Sequence, residues 1–374
     1  MKENINILHY FSALETKQEH KGYYYSVEEA AVIAILGLMC GLKNIRQIQQ
    51  WASQEHVARF LQEEIGIQKI PCYYWMLYLL ALVNPESLSR CFTEWVKSMC
   101  QGKGRDFTVS VDGKTIRSTK KEGSKKSPLH IVSAQIAEMG MTVAQKTVDD
   151  KSNEIPAVQE LLETMELRGC MVVADAMHCQ KETARIITEK EADYLLEAKG
   201  NQKLLKEEIA DYVHDEALRK EMDTACTKEK NRGRIECRTA YITTDIAWLS
   251  CRKEWPGLKS IGAIHKKCTE GEKTTEEWHF LISSRQLNAK ELLEHARKEW
   301  SVETMHWLLD VNFGEDFCRV LNDNVQKNLN ILRKAAINLL RRHKERTGSK
   351  QAFTGMMLGC LMEPRRLLAI LSET

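Results

Sequence analysis

Between Met99 and Asp106 the chain changes its hydrophobic period, and this change constrains the fold more than any other feature. Before it, apolar residues recur at helical spacing. Ser26 and Glu29 form a capping-box pattern ahead of a long apolar run that ends near Gly41. Asn44 can cap a helix carrying Ile45, Ile48 and Trp51, and Asn84-Pro85 reads as a cap followed by proline at the first helical position. After the change, Phe107–Val111 (FTVSV) alternates as a strand. The joining stretch MCQGKGRD is polar and carries two glycines, which predicts a domain boundary. The expectation is an all-α domain over residues 1–100 and a strand-led domain over 101–374; 374 residues suit two or three domains.

The second part reads β-β-β-α-β-α-β. Leu129–Ala137 and Met141–Val148 are two further strands with Gly140 in the turn between them, Ile155–Met165 a helix and Cys170–Ala174 a short apolar strand. Gln180–Lys190 is a helix and Tyr194–Ala198 a strand. Three hairpin-type strands followed by α/β alternation predict an α/β fold with a mixed sheet and helices on both faces. The ribonuclease H-like fold has this order. Residues 221–285 break the alternation with short strand-like pieces between charged loops, and read as a β-rich insertion. A helix is expected from Asn288 to about Asp310, and basic helices from about residue 325 to 374.

Charge is informative only locally. The net charge is +2, with 43% hydrophobic and 28% charged residues, as in a soluble globular chain. Nine Lys/Arg lie between Arg319 and Lys350 against Asp323 and Glu345, and eight lie between Lys103 and Lys126 against three acids. Two such stretches suit an anionic partner as well as they suit solvated helix faces. The twelve cysteines include no C-x-x-C pair and fit no common zinc spacing, so buried reduced thiols are expected. The start MKENINILHYFSALE carries charges where a signal peptide would be apolar, and the windows Ala30–Leu42 and Tyr73–Val83 are too short to span a bilayer. A cytoplasmic protein without a membrane partner is expected. No G-x-x-x-x-G-K-[ST] occurs, so ATP is not expected.

The chemistry gathers at strand ends. Asp112 ends the first core strand in VSVDGKT, and Asp175 ends the fourth in MVVADAMHCQ. Ligand sites of mixed α/β sheets collect at such ends, and the first and fourth strands are neighbours in the ribonuclease H-like order. Carboxylates are hard oxygen ligands suited to magnesium or manganese. A third acid is expected from ARKEWSVETMHWLLDVNFGED, where Glu303 shares a helical face with Glu299, His306 and Asp310.

The segments DGKTIR, LHIVSAQ, KSNEIPAVQELL, VVADAMHCQ, DYLLEAKGNQ, HFLISSR and HWLLDVNFGEDFCR, in this order, resemble the H-repeat-associated transposases, a DDE group within the IS-four superfamily. The resemblance covers nearly the whole chain. It implies a ribonuclease H-like core interrupted before the glutamate by a mostly β insertion. It also implies the acidic triad Asp112, Asp175 and Glu303 holding two Mg2+ ions, with Mn2+ as a substitute, and cleavage and strand transfer at the ends of an insertion sequence in double-stranded DNA, by a nucleoid-associated homodimer. Related transposases carry tyrosine, arginine and lysine where this chain has Ala296, Glu299 and Asp310. Glu303 therefore rests on the W-x-x-E pattern from Trp300, with Asp310 and Glu315 as rivals. Arg232 replaces the family's usual histidine, and Thr304 its asparagine. An inactive DNA-binding relic and a nuclease that cuts without joining are the alternatives.

Secondary candidates are basic or polar. Lys114 and Arg117 follow Asp112 and are expected to hold a phosphate. Lys199, Asn201 and Gln202 leave the last core strand, where they are candidates for DNA contact near the cut. Arg232, Arg234 and Arg238 grip DNA from the insertion or pair with nearby acids. Arg333, Lys334, Arg341, Arg342 and Lys344 are expected on the outer, phosphate-facing side of a C-terminal helix. His178 and Cys179 lack partners at ligand spacing for a soft metal. Trp300, Trp307 and His306 read as packing residues rather than base-stacking ones.

Overall fold

The computed structural model describes residues 6–16, 24–100, 106–120, 127–148, 153–231 and 233–371. The expected boundary segment lies largely in 101–105, outside the described residues, and so does Arg232.

The first hundred residues hold helices α1 (Asn6–Phe11), α2 (Val27–Met39), α3 (Ile45–Ala52), α4 (Glu55–Phe60), α5 (Tyr73–Leu82) and α6 (Pro85–Cys100). Their starts follow from local chemistry. The Ser26 side chain accepts from the Glu29 N–H, Asn44 from Gln47, and Asn84 from Glu86 and Ser87 just ahead of Pro85, satisfying orphan first-turn donors. Helix α2 is buried all round, so its apolar run has no polar face to show.

A nine-stranded sheet follows, in the order β3-β2-β1-β4-β5-β9-β8-β7-β6. Strands β1 (Thr108–Thr115), β2 (His130–Ile136) and β3 (Met141–Val148) are antiparallel neighbours, whereas β4 (Met171–Ala174) and β5 (Asp193–Ala198) run parallel to β1. The MVVA strand β4 is wholly apolar because both faces are covered. Val172 and Ala174 join a core that includes residues of α7 (Glu154–Thr164), α8 (Lys181–Glu189) and α9 (Lys203–His214). Met171 and Val173 meet α11 (Ala289–Glu299) on the other face. Beyond α9 lies the short α10 (Glu216–Glu221).

Residues 223–283 supply β6 (Asp223–Asn231), β7 (Arg234–Thr243), β8 (Ser260–Glu270) and β9 (Lys273–Ser283). These strands extend the same sheet through β5–β9 pairing. The single helix expected from Asn288 to Asp310 is two. Helix α11 opens on a full capping box between Asn288 and Glu291 and stops at Glu299; α12 (Ser301–Val311) restarts after Trp300. The Ser110 hydroxyl donates to the Glu299 carbonyl at 2.8 Å, and the Arg238 and Lys266 cations lie 4.9 and 5.0 Å from the Trp300 ring, pinning the break to β1, β7 and β8.

The 25-residue α13 (Asp323–Thr347) is followed by α14 (Phe353–Met362) and α15 (Arg366–Leu371). Helix α13 does not stand outside with a basic face. Fifteen of its residues, from Val325 to Leu340, are buried, and its apolar side chains share one continuous core with α2, α3, α5, α6 and α12. Among the described residues no helix is long and apolar enough to cross a membrane.

Candidate active site

Val111 of β1 is the register partner of Ala174 of β4, so Asp112 and Asp175 stand at the same level on adjacent parallel strands. Asp175 follows the end of β4, whereas Asp112 lies inside β1 and not at its end as expected, because β1 stays paired with β2 as far as Thr115. The Asp175 carboxylate caps the 3-10 turn that follows it, accepting from the Met177 N–H at 2.9 Å. That turn is held from behind. The Asn201 amide donates to the Ala176 carbonyl at 2.7 Å, and the Gln202 amide to that of Cys179 at 2.9 Å. These two amides, candidates for DNA contact, therefore fix the Asp175 turn.

The site is electrostatically strained. Burial pushes the Asp112 carboxyl up to about 6, the Asp175 and Glu154 carboxylates adding to it against the backbone bond from Gly113. Burial likewise pushes Glu299 up to about 7, helped by Glu197 and Asp175 and opposed by Lys199 and His279. Glu197 is kept ionised by His279 at 2.7 Å and Lys199 at 3.0 Å, which outweigh its burial. Lys199 is thus already paired beside the site.

Helix α12 closes the third side. His306 Nδ1 is 3.5 Å from the Asp112 carboxylate, and burial, with Lys334 and Lys114 nearby, drives the ring down to about 3, so it is neutral at pH 7. Glu303 lies three residues before His306 and four after Glu299, and is exposed. Hard carboxylate oxygens gathered on two adjacent strands, with Asp175 helping to raise the proton affinity of Asp112, are a donor set that suits a divalent cation. Among the described residues no group of three or more His, Cys, Asp or Glu is drawn together closely enough to hold an ion.

Several basic candidates are placed otherwise than the sequence suggested. Lys114 is 2.7 Å from Asp310, 3.4 Å from Glu315 and 3.6 Å from Asp316, so three acids compete with any phosphate for it. The rivals Asp310 and Glu315 are thereby spoken for by a lysine. Arg333 and Lys334, expected on an outer face, are 2% and 1% exposed. Arg333 pairs with buried Glu315 at 3.3 Å, and Lys334 donates to Ser133 and Gln145 at 2.7 and 2.8 Å. Neither can reach DNA, because the helix turns these positions into the core. Arg341 donates to the Gly140 carbonyl in the β2–β3 turn, while Arg342 and Lys344 are partly exposed. Arg234 pairs with Glu270 at 3.0 Å and Arg238 with Glu236 at 2.6 Å. Arg117 is 88% exposed just past β1, its guanidinium 4.0 Å from the Asp316 carboxylate.

The sequence reading missed Glu154, His130 and Glu197. Only KSNEI carried a signal for Glu154, an acid opening a helix, and helix starts carry acids too often for one to stand out.

Residues 104–339 match the family model described as Transposase DDE domain, and residues 8–96 the one described as DDE_Tnp_1-associated. The chain is similar to "Putative transposase YncI" of Escherichia coli O157:H7, at 28% identity over 92% of this chain and 89% of that one. It is also similar to "H repeat-associated putative transposase YhhI" of Escherichia coli K12, at 28% identity over 88% of this chain and 87% of that one. A solved piggyBac transposase synaptic complex with hairpin DNA overlays 97% of this chain and 81% of that chain at a TM-score of 0.44 and 9% identity, too loosely to transfer any residue. The Transposase DDE domain match spans well over half of the chain, and with these relatives it shows that the protein belongs to the H-repeat-associated family of DDE transposases.

Proposed function

We propose that this chain cuts and rejoins double-stranded DNA at the ends of a bacterial insertion sequence, from a ribonuclease H-like core. The observation that supports the reading is the pair Asp112 and Asp175, set at the same level on adjacent parallel strands, each carboxylate within electrostatic reach of the other. Asp112 and Asp175 would hold magnesium, or manganese in its place, and Glu303 would complete the set from α12. Two such ions supply activation of an attacking oxygen and charge stabilisation at the leaving oxygen.

The remaining roles belong to the chain's own groups. Neutral His306 supports the Asp112 carboxylate without cancelling its charge. Exposed Arg117, five residues beyond Asp112, would exchange its long contact with Asp316 for a DNA phosphate. Helices in residues 1–100 would read or pair the element ends, and two copies would bring two ends together. Hydrolysis of the first bond runs downhill, and each joining step exchanges one phosphodiester for another, so no ATP is required.

The test is an assay with labelled inverted-repeat ends from the flanks of the gene, Mg2+ and supercoiled target. Joined products support the reading. Cutting without joining marks a nuclease, and binding without either marks a relic. Asp175→Ala should bind ends and yield no product; full activity in that variant would sink the assignment.

A further inference from the structure

Behind the two aspartates lies a buried cluster that the reading above does not use. Glu154 opens α7 and is buried, and each of its carboxylate oxygens meets one imidazole. His130 Nε2 is 2.6 Å from Oε2, and His178 Nε2 is 3.2 Å from Oε1. An ionised carboxylate only accepts, so both rings donate their Nε2–H. Burial opposes that charge, but the two histidine bonds outweigh it and hold the carboxyl down at about 2.

Each contact leads to one of the two aspartate segments. His178 sits on the turn that Asp175 caps. His130 Nδ1 is 2.8 Å from the Thr115 hydroxyl, three residues beyond Asp112 on β1, and accepts from it because the ring proton is on Nε2. Glu154 also lies directly against Gly113. A Cβ there would fall 2.5–2.7 Å from the carboxylate atoms, so only glycine lets the acid approach the strand beside Asp112. One carboxylate therefore touches, directly or through a ring, both chain segments that present the aspartates.

We propose that Glu154, with His130 and His178, is a positioning residue that fixes the spacing of Asp112 and Asp175 and thereby sets the protein's affinity for a divalent cation. This rests on the reading that those two aspartates hold the cation. Two like charges spread apart unless the backbone under them is clamped, and groups that orient metal ligands from behind typically change affinity by about 10–100-fold when removed.

The experiment is direct Mn2+ binding to the full-length protein without DNA, read from the paramagnetic resonance signal of the free ion. Circular dichroism melts confirm folding. Glu154→Ala should bind Mn2+ about 10–100-fold more weakly. Glu154→Gln should stay within about threefold of the parent, by the same scale. Its oxygen can accept from His178 while its amide donates to His130 in the other tautomer, whose Nδ1–H then donates to Thr115. Cleavage by Glu154→Ala should return at saturating Mn2+, a change in apparent metal affinity and not in the maximal rate. If Glu154→Ala does not fold, Glu154→Asp, one methylene too short to span both rings, takes its place with the same expectation. Equal weakening in the Gln and Ala variants would show that charge acts instead of the bridge, and would overturn the proposal. Parent-like binding in Glu154→Ala, with binding lost in Asp175→Ala, would overturn this inference alone. Parent-like binding in Asp175→Ala would overturn the metal reading beneath it as well.

Discussion

At the scale of single residues, the site spends stability on unbalanced charge. The folded Asp112 carboxyl ionises at about 6, whereas an unfolded aspartate does so near 3.9. Between those values the native protein binds the extra proton, so stability falls as pH rises from about 4 to 6, and above 6 the full penalty is present. Asp112→Asn removes it. In chelator at pH 7.5 the variant should be more stable than the parent by on the order of 1–3 kcal/mol in denaturant titrations, and at about pH 3.5, below both values, the two should nearly coincide. An equal gain at both pH values would mean that packing, not charge, is responsible. The third acid is tested by a second pair of variants. Glu303→Gln should abolish single-turnover cleavage of labelled ends, while Glu299→Gln should leave it within about tenfold, or about 1.4 kcal/mol of barrier. The reverse result would move the third ligand back to the end of α11, where Glu299 already feels Asp175.

At the scale of elements, α13 shows how a basic sequence can be a core helix. Its charges fall into two groups. Arg333, Lys334 and Arg341 are used internally, on Glu315, on Ser133 and Gln145, and on the β2–β3 turn. Lys344 and Arg346 lie in its last turn, nearer solvent, where cations also suit the helix dipole. Arg341→Ala should therefore destabilise the protein by about 1–3 kcal/mol, by leaving the Gly140 carbonyl without its donor, and should not alter the salt dependence of DNA binding. Neutralising Lys344 and Arg346 together should flatten the log–log salt slope by up to about 1.8, with little effect on folding. Melting curves and filter binding at several salt concentrations separate the two. A flattened slope in folded Arg341→Ala would mean that this arginine swings out to meet DNA.

At the scale of the whole molecule, the helices before Cys100 and those after Val311 are one hydrophobic body. Ile33, Leu36, Leu79 and Trp95 lie in the same core as Leu332, Ile337 and Leu340, and the Asn328 amide donates to the Leu80 and Val83 carbonyls. A chain lacking residues 1–100 would expose much of α13. Each fully buried side chain of this kind contributes about 1.5–3 kcal/mol, so losing a handful exceeds a typical net stability of about 5–15 kcal/mol. The truncated chain should be insoluble or lack a cooperative melt. A soluble, cooperatively melting fragment would restore an independent first hundred residues that could be removed at the cost of end recognition alone.

The sequence by itself determined whatever is local or periodic. Caps at Ser26, Asn44 and Asn288, the alternation of Phe107–Val111, the apolar β4 and Asp175 just past its end all follow from neighbours a few positions apart. The ordered motifs also determined the family, because a run of short matches in register is specific where each one is not. Tertiary structure alone decided which charges face inward. Lys114 meets acids nearly two hundred positions away, and Lys334 meets Ser133 and Gln145 across a similar gap. It also decided that the long acidic helix breaks at Trp300, and that Glu154 sits under both aspartates. A charged residue is read from sequence as solvent-facing because burial without a partner is expensive. Here the partners exist, but they are brought together only when the sheet and the helical body close on each other.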